Sequence, residues 1–159
     1  MRQDALLKLL ETNARLSDEE IAERLGLSVE NVKSRRSELE SQGRIVGYQA
    51  VTNDDQETGV SAFIEVKLTP ERDGGFDRIA SRIARFDAVA SCYLASGGFD
   101  LLVLVDGETL MDVARFVTEK LSTMEGVLST ATHFRLKTYK KNGLLFDAPP
   151  LQERLSVTP

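Results

Sequence analysis

Cysteine, histidine and tryptophan are nearly missing from this chain of 159 residues: it has one Cys, one His and no Trp. The lone Cys92 cannot close an internal disulfide, so the fold must rest on its core, and a reducing compartment, the cytoplasm, is the expected setting. No metal-ligand spacing, phosphate-binding loop or nucleophile elbow is present, so no metal, cofactor or catalytic residue is expected. His133 lies on a strand face, where packing or solvation is the commoner role. Cys92 sits mid-strand with no base partner and reads as a small core residue. Glu19 with Glu20, and Asp54 with Asp55, are sequence neighbours in exposed segments rather than paired catalytic carboxylates. No apolar run reaches membrane-spanning length, and MRQDALLK lacks the apolar region of a signal peptide. Apolar residues at 42% and charged residues at 28% are ordinary for a globular protein of one domain or two small ones.

What is present starts with Ser17 to Gly43, SDEEIAERLGLSVENVKSRRSELESQG. Ser17 followed three residues later by Glu20 is a capping box, which starts a helix at Asp18. Ile21, Ala22 and Leu25 form its apolar face, and Gly26 supplies a left-handed stop. Ser28 caps a second helix running to about Gln42, with Val29, Val32 and Leu39 facing inward. A preceding helix from Asp4 to Thr12, rich in leucine, gives both a packing partner. Two helices joined by a tight glycine turn, the second with a polar and basic outer face, fit a helix-turn-helix that enters the DNA major groove. The same residues also fit an ordinary helical hairpin with a solvated face. RIVGYQAVTN then predicts a short strand pair or an extended arm, which would make the unit a winged helix.

Charge argues against strong binding by a single copy. The protein carries a net charge of −5, and residues 1–52 hold eight Lys and Arg against nine Asp and Glu, a net of −1. Only one helix face is basic, through Lys33, Arg35 and Arg36. Phosphate contacts dominate DNA affinity, so a lone protomer should bind weakly and several copies together should bind better.

The polar stretch Asn53 to Thr58 predicts a linker, bounding a first domain at 1–52 and a second at 60–143. In Val60 to Leu68, Ala62, Ile64, Val66 and Leu68 alternate with Phe63, Glu65 and Lys67, a half-buried strand. Phe76, Ile79, Ala80, Ile83 and Phe86 share one helical stripe. Val89 to Ala95 and Phe99 to Val105 predict strands joined by a Ser96-Gly97-Gly98 hairpin. Leu110, Val113, Ala114, Val117, Leu121 and Met124 mark a helix stopped near Gly126, and Val127 to Tyr139 a last strand. The order β-α-β-β-α-β is the ferredoxin-like split βαβ, so the fold class is α+β. Two helices cover one sheet face, and the apolar groups on the other predict burial in a dimer. Residues 144–159 read as a loose tail.

A winged helix-turn-helix followed by a ferredoxin-like βαββαβ domain resembles the Lrp/AsnC family, the feast/famine regulators of bacteria and archaea. Three segments carry the resemblance: ARLSDEEIAERLGLSVENVKSRRSELESQGRIVGY, SGGFDLLVLVDG and GVLSTATHFRLKTYKKNG. It implies a transcription regulator that binds double-stranded DNA, assembles as a dimer and then a tetramer or octamer, and answers to a small amino-acid-like effector. Ser28, Asn31, Lys33, Ser34 and Arg35 fall where that family faces DNA, with Arg44 beside them as a backbone contact. Ser28 and the helix-start amides suit a phosphate, Arg35 or Lys33 a guanine, and Asn31 an adenine. Arg36 departs from the family pattern and, one turn after Val32, is expected to snorkel from the core. Gly97, Gly98, Phe99 and Asp100 resemble the family's effector hairpin, and Thr130 and Thr132 its hydroxyls on the last strand. There the glycine amides would take a carboxylate and Asp100 an ammonium. Without the resemblance, the residues fit a plain glycine hairpin with Asp100 fixing the turn better than a ligand site. Haem-pathway decarboxylases share the two-domain plan, but one histidine suits a tetrapyrrole poorly. A sensor that has lost DNA binding is the remaining alternative.

Overall fold

Three short helices open the chain because each carries its own start signal. The computed structural model, which describes residues 4–52, 59–69 and 75–146, has α1 at Ala5–Thr12, α2 at Asp18–Leu25 and α3 at Val29–Ser41. Asp4 caps α1, its carboxylate accepting from the Leu6 amide at 3.0 Å. The capping box forms as expected: the Ser17 amide donates to the Glu20 carboxylate at 2.8 Å, and the Glu20 amide to Ser17 Oγ at 3.2 Å. The first of these bonds holds the Glu20 carboxyl below its usual range. Gly26, at φ +65°, ends α2 in the left-handed conformation that only glycine takes cheaply. The leucines of α1 then close over Ile21, Ala22, Val32 and Leu39 in one core.

After α3 the chain forms no strand between residues 44 and 52. The strand pair expected for a wing is therefore absent among the described residues, and the arm is the form taken. Val46 is 95% exposed, so no apolar contact holds the arm there. Ile45 packs against the core at the arm's start, and further along the Tyr48 hydroxyl donates to Glu40 at 2.8 Å.

This first compact unit comprises residues 1–51 and the second residues 52–159; the expected linker lies largely outside the described residues. In the second unit β1 (Val60–Leu68), α4 (Gly75–Ile83), β2 (Val89–Leu94), β3 (Leu101–Gly107), α5 (Leu110–Phe116) and β4 (Val127–Phe134) follow in the predicted order. The strands pair antiparallel in the order β2-β3-β1-β4. Period-two alternation decides the faces. Ala62, Ile64 and Val66 pair with Val105, Val103 and Leu101 on one side, and all six are fully buried in one cluster with residues of α4 and α5. Phe63, Leu102, Leu104 and Tyr93 share the opposite face by register, where Phe63 and Tyr93 are exposed.

Three details differ from expectation. Val117–Leu121 continue α5 as a wide π-helical turn rather than a regular helix. Val113, Val117 and Leu121 recur every four residues and are all buried; a turn closed by i→i+5 bonds keeps such a repeat on one side. The last strand stops at Phe134, not Tyr139, because its partner runs out: the Arg135 amide donates to Ser61, next to the first residue of β1. Finally, residues 144 and 145 are not loose tail. Leu144–Leu145 (β6) pair with Lys140–Lys141 (β5) around Asn142 at φ +48° and Gly143 at φ +84°, the Asn-Gly signature of a tight hairpin.

Candidate functional site

The DNA-facing candidates sit on and around α3, and the structure separates what the sequence groups together. Asn31, Lys33, Ser34 and Arg44 are all exposed. Ser28 caps α3, its Oγ accepting from the Asn31 amide at 3.2 Å, which leaves the hydroxyl proton to donate outward. The three basic residues of α3 do not form a cluster. At about 100° per residue, Lys33 and Arg35 stand on opposite flanks of the helix, with Ser34 between them.

Arg36 points inward as expected, and its Nη2 lies 2.6 Å from Asp18 Oδ1. Burial works against its charge, but hydrogen bonds to Tyr48 and Asp18 outweigh that and hold its pKa up. Glu40, Tyr48, Arg36 and Asp18 thus form a chain of polar contacts from the arm to the first turn of α2.

Arg35 has partners within its own unit. Its Nε and Nη2 both donate to Asp4 Oδ2, at 3.2 and 2.7 Å, and Nη1 lies 3.7 Å from Glu38. The bond to Asp4 holds the Arg35 pKa up. On Asp4, burial works against the charge, yet the Arg35 guanidinium and the Leu6 amide prevail and keep the carboxyl below its usual range. One of the two side chains expected at a guanine is thus paired with a carboxylate of its own unit in the structure without DNA. Beside it, an open cleft of about 480 Å³ is floored by Leu6, Leu25 and Val32 and edged by Asp4, Arg35 and Arg44.

The effector candidates gather at one end of the sheet. The β2–β3 loop closes with the Ala95 amide donating to Asp100 O at 2.8 Å. Gly97 takes φ +137°, and open space surrounds the positions where Gly97 and Gly98 would carry a side chain. Phe99 is half-buried beside them. Asp100 works inside the fold: its amide donates to Val66 O at 3.0 Å, and its Oδ2 accepts from the Leu68 amide at 2.7 Å. The β1–β4 register slips between Lys67 and Leu68, and the Asp100 carboxylate takes up the Leu68 amide at that irregularity. Thr130 pairs with Val66 and Thr132 with Ile64 across β4, so Asp100 and Thr130 flank the same stretch of β1, two strand spacings apart. Thr130 Oγ1 also lies 3.4 Å from Ser122 Oγ.

Comparison with known proteins agrees with this two-unit arrangement. Residues 61–145 match the family model described as the Lrp/AsnC ligand binding domain, and residues 5–46 match a winged helix-turn-helix DNA-binding model. The chain belongs to the Lrp/AsnC family. It is 43% identical to the uncharacterized HTH-type transcriptional regulator YugG of Bacillus subtilis, over 99% of this chain and 97% of that one. It is 30% identical to the proline dehydrogenase transcriptional activator of Rhizobium radiobacter, over 87% and 90% of the two chains. Among solved structures it resembles a transcriptional regulator of Neisseria meningitidis in complex with L-Met, at 26% identity and TM-score 0.70, over 92% and 96%.

As an Lrp/AsnC protein, the chain is a transcription regulator with a helix-turn-helix DNA-binding unit and a ferredoxin-like ligand-binding unit. Asp4, Tyr48 and Ser122 are the contributors that sequence reasoning misses. In the sequence Asp4 reads only as the start of the first helix, and its Arg35 partner is 31 positions away. Among the described residues no helix is long and apolar enough to cross a membrane.

Proposed function

We propose that this Lrp/AsnC regulator binds operator DNA as an oligomer and that an α-amino acid at the β2–β3 hairpin modulates it. The ligand-binding family match supports the effector half, because it spans both the hairpin and β4. The DNA contacts we assign are Ser28, Asn31, Lys33 and Ser34 on α3, with Arg44 on the adjoining backbone. Two such helices, one per protomer, would dock in successive major grooves. The helix-free sheet face, with exposed Phe63 and Tyr93, is our candidate for the dimer contact. At the hairpin, the Gly97 and Gly98 amides would receive the effector carboxylate. Asp100 would take the ammonium on its second oxygen, and Thr130 and Thr132 would contribute hydroxyls. In this reading the protein performs no catalysis, holds no cofactor and works in the cytoplasm, where the DNA is.

Footprinting on the DNA upstream of its own gene, with and without L-methionine and other amino acids, tests the reading. Specific protection that an amino acid strengthens or weakens is expected. Absence of protection at low salt would reject operator binding, and protection indifferent to every amino acid would reject the effector.

A further inference from the structure

We propose that Asp4 acts as an internal stand-in for DNA phosphate, holding Arg35 out of the binding face and so limiting how tightly the protein grips DNA of any sequence. The inference rests on the assignment of α3 to DNA. Each nitrogen of the Arg35 guanidinium faces a carboxylate: Nε and Nη2 bond to Asp4 Oδ2, and Nη1 lies 3.7 Å from Glu38. The two partners differ in strength. Glu38 is half-exposed and three residues along the same helix, a contact that water and salt screen. The Asp4 side chain is only 7% exposed with Arg35 lying over it, and it takes two of the guanidinium nitrogens, so it is the better oriented of the two partners.

Asp4 cannot follow Arg35 outward. Its other oxygen, Oδ1, holds the Leu6 amide and starts α1. A phosphate competing for Arg35, itself 52% exposed, must therefore replace a fixed, well-oriented charge. The cost of withdrawing Arg35 falls on the sequence-independent part of binding, which arises from phosphate neutralisation.

Asp4→Asn isolates the effect, because asparagine caps a helix as well as aspartate does but carries no charge. Asp4→Ser, a second capping residue, guards against an effect peculiar to asparagine. The full-length protein and each variant are titrated onto a fluorescent duplex of mixed sequence over a range of salt, with thermal melts to confirm folding. Releasing one cation to phosphate should steepen the slope of log affinity against log salt by about 0.9, so the gain over the parent grows about eightfold for each tenfold dilution of salt. Asp4→Asn combined with Arg35→Ala should erase that gain, and Arg35→Ala alone should leave the parent slope unchanged. Unchanged or weaker binding by the folded Asp4 variants would overturn the proposal, as would a flatter slope for Arg35→Ala alone, since Arg35 would then already be on DNA. A parent protein with no salt-dependent binding at all would instead reject the DNA assignment of α3, and this inference with it.

Discussion

Asp100 can be separated into a structural and a ligand-facing half by two substitutions. Its Oδ2 accepts from the Leu68 amide at 2.7 Å, at a point where the β1–β4 register slips. Asp100→Ala leaves that amide without its acceptor. A hydrogen bond to a charged group contributes about 2 kcal/mol, which for a unit of this size is a fall of about 10 °C in Tm. Asp100→Asn keeps a neutral acceptor in place and should lose about half of that stability. The ammonium of an amino-acid effector distinguishes charge rather than shape, so both variants should lose any Tm increase that L-methionine gives the parent. Differential scanning calorimetry with and without L-methionine reads both quantities. An Asp100→Ala protein melting within about 2 °C of the parent would refute the structural half of the reasoning, since it would price the bond far below the usual range. A ligand-induced shift surviving in Asp100→Asn would refute the other half.

The hydrophobic core makes a second prediction: Ile64→Ala, at a fully buried position in β1, should destabilise the second unit by about 2–5 kcal/mol in a urea titration. Ser17→Ala removes one half of the capping box and should cost about 1 kcal/mol, seen as earlier melting of the first unit. Asp4, Glu20 and Asp112 all have folded pKa values below their ordinary ones. The native state therefore binds fewer protons than the unfolded chain, so their contribution is present above about pH 4.5 and lost as pH falls through the folded values. Urea midpoints measured from pH 6 to pH 3 should decline, and a flat profile would contradict the assigned bonds. Lys33→Ala and Arg44→Ala should each reduce the salt slope of DNA binding by about 0.9 without changing the melting temperature.

Local chemistry made much of this fold legible in the sequence. The Ser17–Glu20 box, the Gly26 stop and the Ser28 cap each lie within a few residues of the helix they define. The alternation of Ala62, Ile64 and Val66 announces its own buried face. What escaped was set by partners far along the chain. Asp4 and Arg35 are 31 positions apart, and Asp100 and Leu68 are 32 apart, so neither pair leaves a periodic trace. The basic cluster on α3 is adjacent in sequence yet splays around a helix, with Arg36 turned to Asp18 and Arg35 to Asp4. The Lys140–Leu145 hairpin is different, for Asn142-Gly143 states it openly. The end of β4 was not legible in the same way, since it depends on where β1 begins.

The Leu68–Asp100 bond also has a consequence for motion. It joins the hairpin end of the sheet through a side chain, whereas the backbone pairs from Val60–Gly107 to Val66–Leu101 tie β1 to β3. Breaking it would free one amide without parting those pairs, so this end has an opening that costs less than global unfolding. In hydrogen exchange, the Leu68 amide should trade its proton through that local fluctuation, while the amide of Ile64 waits for the whole unit to unfold. That opening lies beside the Gly97–Asp100 loop, and anything that seats itself there and closes the fluctuation should register as protection at Leu68.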